Sequence, residues 1–211
     1  GCYQQNDPTS CSKINRNALG QLWIGDGFVE DLNTNIGGIK TSGVDVNASY
    51  RFDLDRVGLN DMGRATVSLV GTWLNELETT PNNVNPAYDC VGYFGSVCGI
   101  PNPEWRHRAR LSWETPWNAD LNVTWRHYGE VELKNGINNR PDFSFDSKNY
   151  IDLAANWQLR ENTNLRFGVN NVFDIDPPLS ASVGTTGNGN TYPQTYDALG
   201  RYFFGGITID F

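Results

Sequence analysis

No run of this 211-residue chain approaches the ~18 consecutive apolar residues that a membrane-spanning helix needs, so that mode of insertion is excluded. The exclusion stops at helices, because a transmembrane barrel crosses with alternating segments of roughly ten residues and leaves a far weaker trace. Methionine is nearly missing, with Met62 alone, and no initiator Met, charged n-region or apolar h-region opens the chain. Any secretory signal is therefore expected upstream of Gly1. Histidine is confined to His107 and His127, neither beside a cysteine, which removes a zinc-type Cys/His cluster. A nucleophile elbow, a phosphate loop and a catalytic triad are also lacking, and residues 184–190 are a Gly/Asn loop outside any strand-to-helix context. Neither an enzyme nor a cofactor is expected.

What is present favours strands and turns. Glycine numbers 22 and aromatics reach 12% with seven Trp, whereas hydrophobic residues make up only 38% and the formal charge is -8, values that taken alone suit a polar, loop-rich globule. The four cysteines fall in two local pairs, Cys2 with Cys11 and Cys90 with Cys98, inside stretches rich in Asn, Pro, Ser and Gly. Two loop disulfides are expected, formed in an oxidising compartment such as the periplasm.

Period-two alternation organises the rest. From Phe203 onward the odd positions read Phe, Gly, Ile, Ile, Phe, while Tyr202, Phe204, Gly206, Thr208 and Asp210 carry the polar groups. The same pattern recurs over 164–173, 149–160, 121–133, 105–115, 63–77 and 39–52, giving seven long strands and a weaker stub over 21–24 that is assigned to the first loop. Residues 161–163 and 116–119 are tight turns, and 53–62 is also short, whereas 78–103, 134–147 and 174–199 are long and rich in Asn, Gly and Pro. Short turns on one side and long loops on the other match periplasm and exterior, which places the first residue outside and the last inside.

A secreted sandwich also alternates. Against it stand the length and regularity of the strands, Trp and Tyr toward strand ends, and charges on the inward faces. Arg106, Arg108 and Arg110 share one strand face and would not be buried dry without paired carboxylates. Lipid cannot satisfy an open sheet edge, so a closed barrel is expected, and seven strands with termini on opposite sides predict further strands before Gly1 or from another chain.

Three stretches carry a family resemblance. Residues 197–203 through the terminal Phe211 resemble the last strand of TonB-dependent receptors, whose terminal Phe is the assembly signal read by the barrel-assembly machinery. Residues 165–178, with Gly168, Asn170-Asn171-Val172-Phe173-Asp174 and Pro177-Pro178, resemble the family's penultimate strand, Val172 standing where Leu is usual. Residues 39–52, with Gly43-Val44-Asp45 and Tyr50-Arg51-Phe52, are similar to a third family strand. The resemblance implies an all-β transmembrane antiparallel barrel of about 22 strands with a plug in its lumen, of which this chain is the C-terminal part, without plug or N-terminal strands. It also implies a Gram-negative outer membrane, a TonB complex engaged through a box in the N-terminal part, and uptake of a small-molecule ligand such as a siderophore or saccharide. The partners expected are outer-membrane lipid, TonB, the assembly machinery and that ligand, with no nucleic acid. A passive porin and a secreted binding module are the competing readings.

For the site, the Arg106, Arg108, Arg110 row is expected in the lumen, where it pairs with the plug or contacts an anionic ligand. Ligand recognition is expected chiefly on the external loops, at Tyr88, Tyr93, Phe94 and Trp105 around the Cys90 to Cys98 pair, since aromatics on constrained loops bind sugars and siderophores. His107 and His127 fall on the outward parity, away from a ligand. Asp174 and Asp176 are read as turn formers rather than calcium ligands.

Overall fold

A computed structural model describes residues 2–31, 35, 37–82, 85–136, 139–181 and 188–210. Phe211 and most of the 184–190 loop lie outside the described residues.

Two compact units are present, one formed by residues 1–40 and 77–89, the other by 41–76 and 90–211. In the first, helices α1 (Cys2–Gln5) and α2 (Pro8–Ser12) are joined by the Cys2–Cys11 disulfide. The Asp7 carboxylate caps α2 by accepting from the Thr9 and Ser10 amides, and Pro8 supplies the preset first turn. Strands β1 (Ile14–Asn15) and β2 (Phe28–Val29) pair antiparallel. Between them, 21–24 lies in a loop, as its place in the first loop of the chain leads one to expect. The Asn17 side chain takes the amides of Leu19 and Gln21 and donates to the Ile24 carbonyl, which folds the segment into a loop.

The large sheet is built from β3 (Gly38–Asp53), β4 (Arg64–Thr80), β7 (Trp105–Glu114), β8 (Ala119–Tyr128), β11 (Lys148–Arg160), β12 (Thr163–Asn170) and β13 (Tyr202–Ile209). Its order is β13-β12-β11-β8-β7-β4-β3, with the short β5 (Tyr88–Asp89) on β4. Each path strand pairs with its sequence neighbour in a meander, and the pairings recorded for it are antiparallel. The sheet is an open wall, with β3 and β13 at its edges. No described helix is long and apolar enough to cross a membrane, which says nothing of strands.

Register turns the alternation of single strands into rows. One face carries Val67, Leu111, Val123, Leu153, Val169 and Phe203 side by side across six strands. Its members Val67, Leu111, Val123, Leu153 and Phe203 are 46%, 45%, 40%, 40% and 69% exposed. A water-soluble fold does not leave a continuous apolar row uncovered, whereas lipid accepts it. The opposite face carries Ser68, Arg110, Thr124 and Asp152 in one row, and Val70, Arg108, Arg126 and Tyr150 in the next.

Two tryptophan levels bracket the apolar band, with Trp73 and Trp105 paired toward one end and Trp113, Trp117 and Trp157 toward the other, while Trp125 stands opposite Ala109 between them. Trp105 and Trp113 lie eight residues apart on β7, which at ~3.3 Å per residue is roughly 26 Å along the strand and about 20 Å once tilted. That is the scale of an outer-membrane apolar band.

The alternation over 121–133 is not one strand. β8 ends at Tyr128, and β9 (Val131–Leu133) belongs to a separate small sheet with β6 (Tyr93–Phe94) and β10 (Ser144–Phe145), in the order β10-β9-β6. Gly129 makes the break: its amide donates to the Trp105 carbonyl, and a Cβ there would lie 2.9 Å from that oxygen. Val131 and Leu133 therefore leave the lipid row and pack with Phe94, Phe145, Tyr192 and Tyr196. The strand expected over 164–173 likewise stops at Asn170.

Candidate functional site

The polar face of the sheet is graded along its length. At the short-turn end Arg51 donates to Glu114 at 2.6 Å and Arg64 to Asp53 at 2.9 Å, so these exposed charges neutralise one another within the wall. Midway, Ser112 donates to Asn122 at 2.6 Å and Arg110 meets Thr124 Oγ1 at 3.4 Å. Higher still, Arg126 holds Asp152 through two bonds of 2.7 and 2.8 Å and Asp197 through a third of 2.7 Å. Its guanidinium also lies 4.9 Å from the centre of the buried Tyr150 ring. Arg106 and Arg108, on the adjacent strand at the same level, have neither an ion pair nor a side-chain hydrogen bond among the described residues.

Above this level the long loops form a cap with its own core. Phe94 is completely buried, stacked on Phe145 with ring centres 4.2 Å apart, and Val131, Leu133, Tyr192 and Tyr196 close around it. The Cys90–Cys98 disulfide and Asn102, whose side chain donates to the Ile100 and Cys98 carbonyls, shape the loop that carries Phe94. A second tie joins two loops: Asp142 accepts from the Arg140 guanidinium at 2.8 Å and from the Ala181 amide at 2.9 Å. The Arg140 guanidinium holds the Asp142 carboxyl below its ordinary range, assisted by the Ala181 amide. Burial pushes the Tyr196 phenol above its ordinary value, and its oxygen is a buried side-chain atom without a partner among the described residues.

The aromatic residues expected to recognise a ligand have separate fates. Phe94 is a packing residue at the centre of the cap, and its ring is closed to any ligand. Tyr93 remains half-buried, with the Lys134 ammonium 3.9 Å over its ring. Tyr88 belongs to the smaller unit, where it pairs with Thr79. Trp105 is not a loop residue: it stands on the lipid-side parity of β7 and donates to His107 Nδ1 at 2.9 Å. His107 and His127 face each other across β7 and β8 with ring centres 5.1 Å apart, beside Trp125, in a belt on that same parity.

The motif near the chain end acquires a physical meaning. Asn171, fully buried with a φ of 51°, brackets Ile175 by accepting from its amide and donating to its carbonyl, and its own amide donates to Asp152. Asp174 accepts from the Arg201 amide at 2.7 Å, which closes the loop between β12 and β13 and accounts for this carboxylate as a turn former. At Gly168 a Cβ would sit 2.5 Å from both the Leu153 carbonyl and the Phe204 ring, so only glycine fits.

Alternation alone marked the wall. It gave no weight to Asp152, Asp197, Tyr150 or Asn171, which tie the wall to its loops. Asp152 was visible only as a polar member of β11, and Asp197 only as part of the terminal motif.

A wall with an exposed apolar face between two tryptophan levels, charges on the other face and folded loops at one end defines one side of an outer-membrane β-barrel. The sequence matches the family described as TonB dependent receptor-like, beta-barrel, over residues 3–172. The chain belongs to that family, whose members are receptors and transporters of the Gram-negative outer membrane. The match ends at Val172, and β13 is placed by its eight-residue pairing with β12. No curated protein and no solved structure matches the chain.

Proposed function

We propose that this chain is the C-terminal wall, about the last seven strands, of a plugged barrel that takes up a scarce ligand by TonB-energised transport. A siderophore or a saccharide is the kind of cargo such a wall serves, being too large for passive pores. The observation that carries this reading is the cap, in which three long loops share a core around Phe94 and are tied through Asp142 and Asp197. A passive channel gains nothing from an ordered roof of this kind, whereas a receptor needs preformed loops to recognise its cargo. The assembly machinery and the TonB complex are its proposed partners, together with outer-membrane lipid.

The test uses the full-length receptor that contains this chain. Reconstituted in planar bilayers it is expected to show little steady current, and in cells its cargo accumulation is expected to stop when a protonophore collapses the proton-motive force. A large steady conductance with accumulation indifferent to the protonophore would instead establish a passive channel.

A further inference from the structure

We infer that the outer end of the polar face is a binding site for a compact polyanion, one presenting two or more carboxylate or phosphate groups, with Arg106 and Arg108 as its paired cations. The inference rests on the receptor reading above and narrows the cargo to an anionic class.

Pairing is the first argument. The chain has 24 acidic against 16 basic residues, so carboxylates are in excess and a guanidinium without one is not the result of scarcity. Arg51, Arg64 and Arg126 on the same face all have carboxylate partners. Arg108 stands directly opposite Arg126 in the β7–β8 register, an arrangement that costs repulsion between like charges. Asp152 and Asp197 both serve Arg126, while the nearby Asp45 accepts the Thr72 hydroxyl at 2.8 Å. The fold has therefore neutralised one arginine of this level and left two exposed. Among the described residues Arg110, next along β7, also has no ion pair and meets only the Thr124 hydroxyl, so it extends the same row, whereas Arg160 and Arg166, likewise without one, stand toward the short-turn end, Arg166 in the row of Asn156 and Asp120.

Shape and position supply the second. Arg106 and Arg108 line a cavity of about 370 Å³ together with Asn102, Tyr128 and Gln194. That volume lies within the range of small-molecule sites, and the amide and phenol groups add hydrogen-bond donors around the charges. The arginines are two residues apart on one strand face, roughly 7 Å, and each guanidinium presents a planar fork matched to a carboxylate or phosphate. They stand level with the Trp105 and Trp125 belt and beneath the loop cap, where cargo arriving from outside first meets the wall.

The experiment titrates citrate, and separately pyrophosphate, into the purified full-length receptor in detergent micelles by calorimetry, with maltotriose as a neutral control. One or both polyanions are expected to bind at one per receptor and more weakly as salt rises, and maltotriose is expected not to bind at this site. Binding of citrate alone or of pyrophosphate alone identifies the anion type. The double variant Arg106→Gln/Arg108→Gln, whose exposed side chains leave the fold intact, is expected to lose at least about tenfold in affinity. Failure of both polyanions to bind, or equal binding by wild type and double variant, would overturn the assignment, the latter outcome placing the anion elsewhere on the receptor. Accumulation measured with and without protonophore separates the two readings. Binding that depends on the arginines, alongside accumulation indifferent to the protonophore, keeps the anion site and removes energised uptake.

Discussion

Arg126 grips Asp152 through two parallel hydrogen bonds of 2.7 and 2.8 Å across neighbouring strands, and the side chains are only 16% and 13% exposed. The same Asp152 receives the Asn171 amide, and the same Arg126 reaches Asp197 in the loop before the last strand. One bidentate pair thus fixes the strand wall, the end of β12 and the returning loop to one another.

Removing the acid leaves a guanidinium half-paired in a confined place. Asp152→Ala is expected to cost about 3 kcal/mol, within the range for breaking a buried pair. On unheated SDS gels of the full-length receptor, the folded band should convert to the unfolded one at a lower temperature than for wild type. Unchanged heat resistance would show that the pair contributes nothing to the wall.

Gly168 is squeezed between the Leu153 carbonyl and the Phe204 ring. Gly168→Val is expected to disrupt the pairing of β12 with both neighbours, at a cost of about 1–3 kcal/mol or more. The fraction of receptor reaching the folded, heat-modifiable form reads this out. Wild-type assembly of the variant would contradict the close approach.

The loop cap depends on Phe94. Phe94→Ala is expected to remove about 3–5 kcal/mol of local packing and to expose 90–103 and 134–147 to trypsin and chymotrypsin while the strands stay resistant. An equal proteolytic pattern would mean that the cap is not held by this ring. Tyr93→Ala, at a half-buried position, should leave the pattern nearly unchanged.

Acid should release one of the loop ties. The Asp142 carboxyl is held below its ordinary value of 3.8, first by Arg140 and then by the Ala181 amide. A depressed folded-state value means the tie contributes fully above that ordinary value and is lost as pH falls through the lower, native one. Amide exchange at Ala181 should therefore stay slow from pH 7 to pH 5, after correction for intrinsic rates, and rise only below about pH 4. In Asp142→Asn the acid step should vanish. Loss of protection between pH 7 and pH 5 would assign the tie to another group.

The strands were legible in the sequence because alternation reports backbone pleat directly: each of the seven alternating segments contains a strand of the large sheet, although those over 121–133 and 164–173 end early, at Tyr128 and Asn170. Alternation does not report which neighbour a face meets. Val131 and Leu133 continue the β8 pattern yet belong to the cap, because Gly129 turns the chain without breaking the parity. For the same reason Phe94 and Tyr93, adjacent aromatics in one loop, cannot be told apart before their surroundings are known. The arginine row was legible as a row, but its division into paired and unpaired members was not, since the partners Asp152 and Asp197 lie 26 and 71 residues beyond Arg126.

The central claim is that one face of this wall meets lipid and the other the path of the cargo. It is tested most directly by nitroxide labels placed one at a time from residue 106 to 113 in the full-length receptor in bilayers. Labels at 107, 109, 111 and 113 should be quenched by lipid-soluble oxygen and those at 106, 108, 110 and 112 less so, with a water-soluble nickel chelate giving no access at the first set. Equal access of the nickel chelate to both sets would contradict the account.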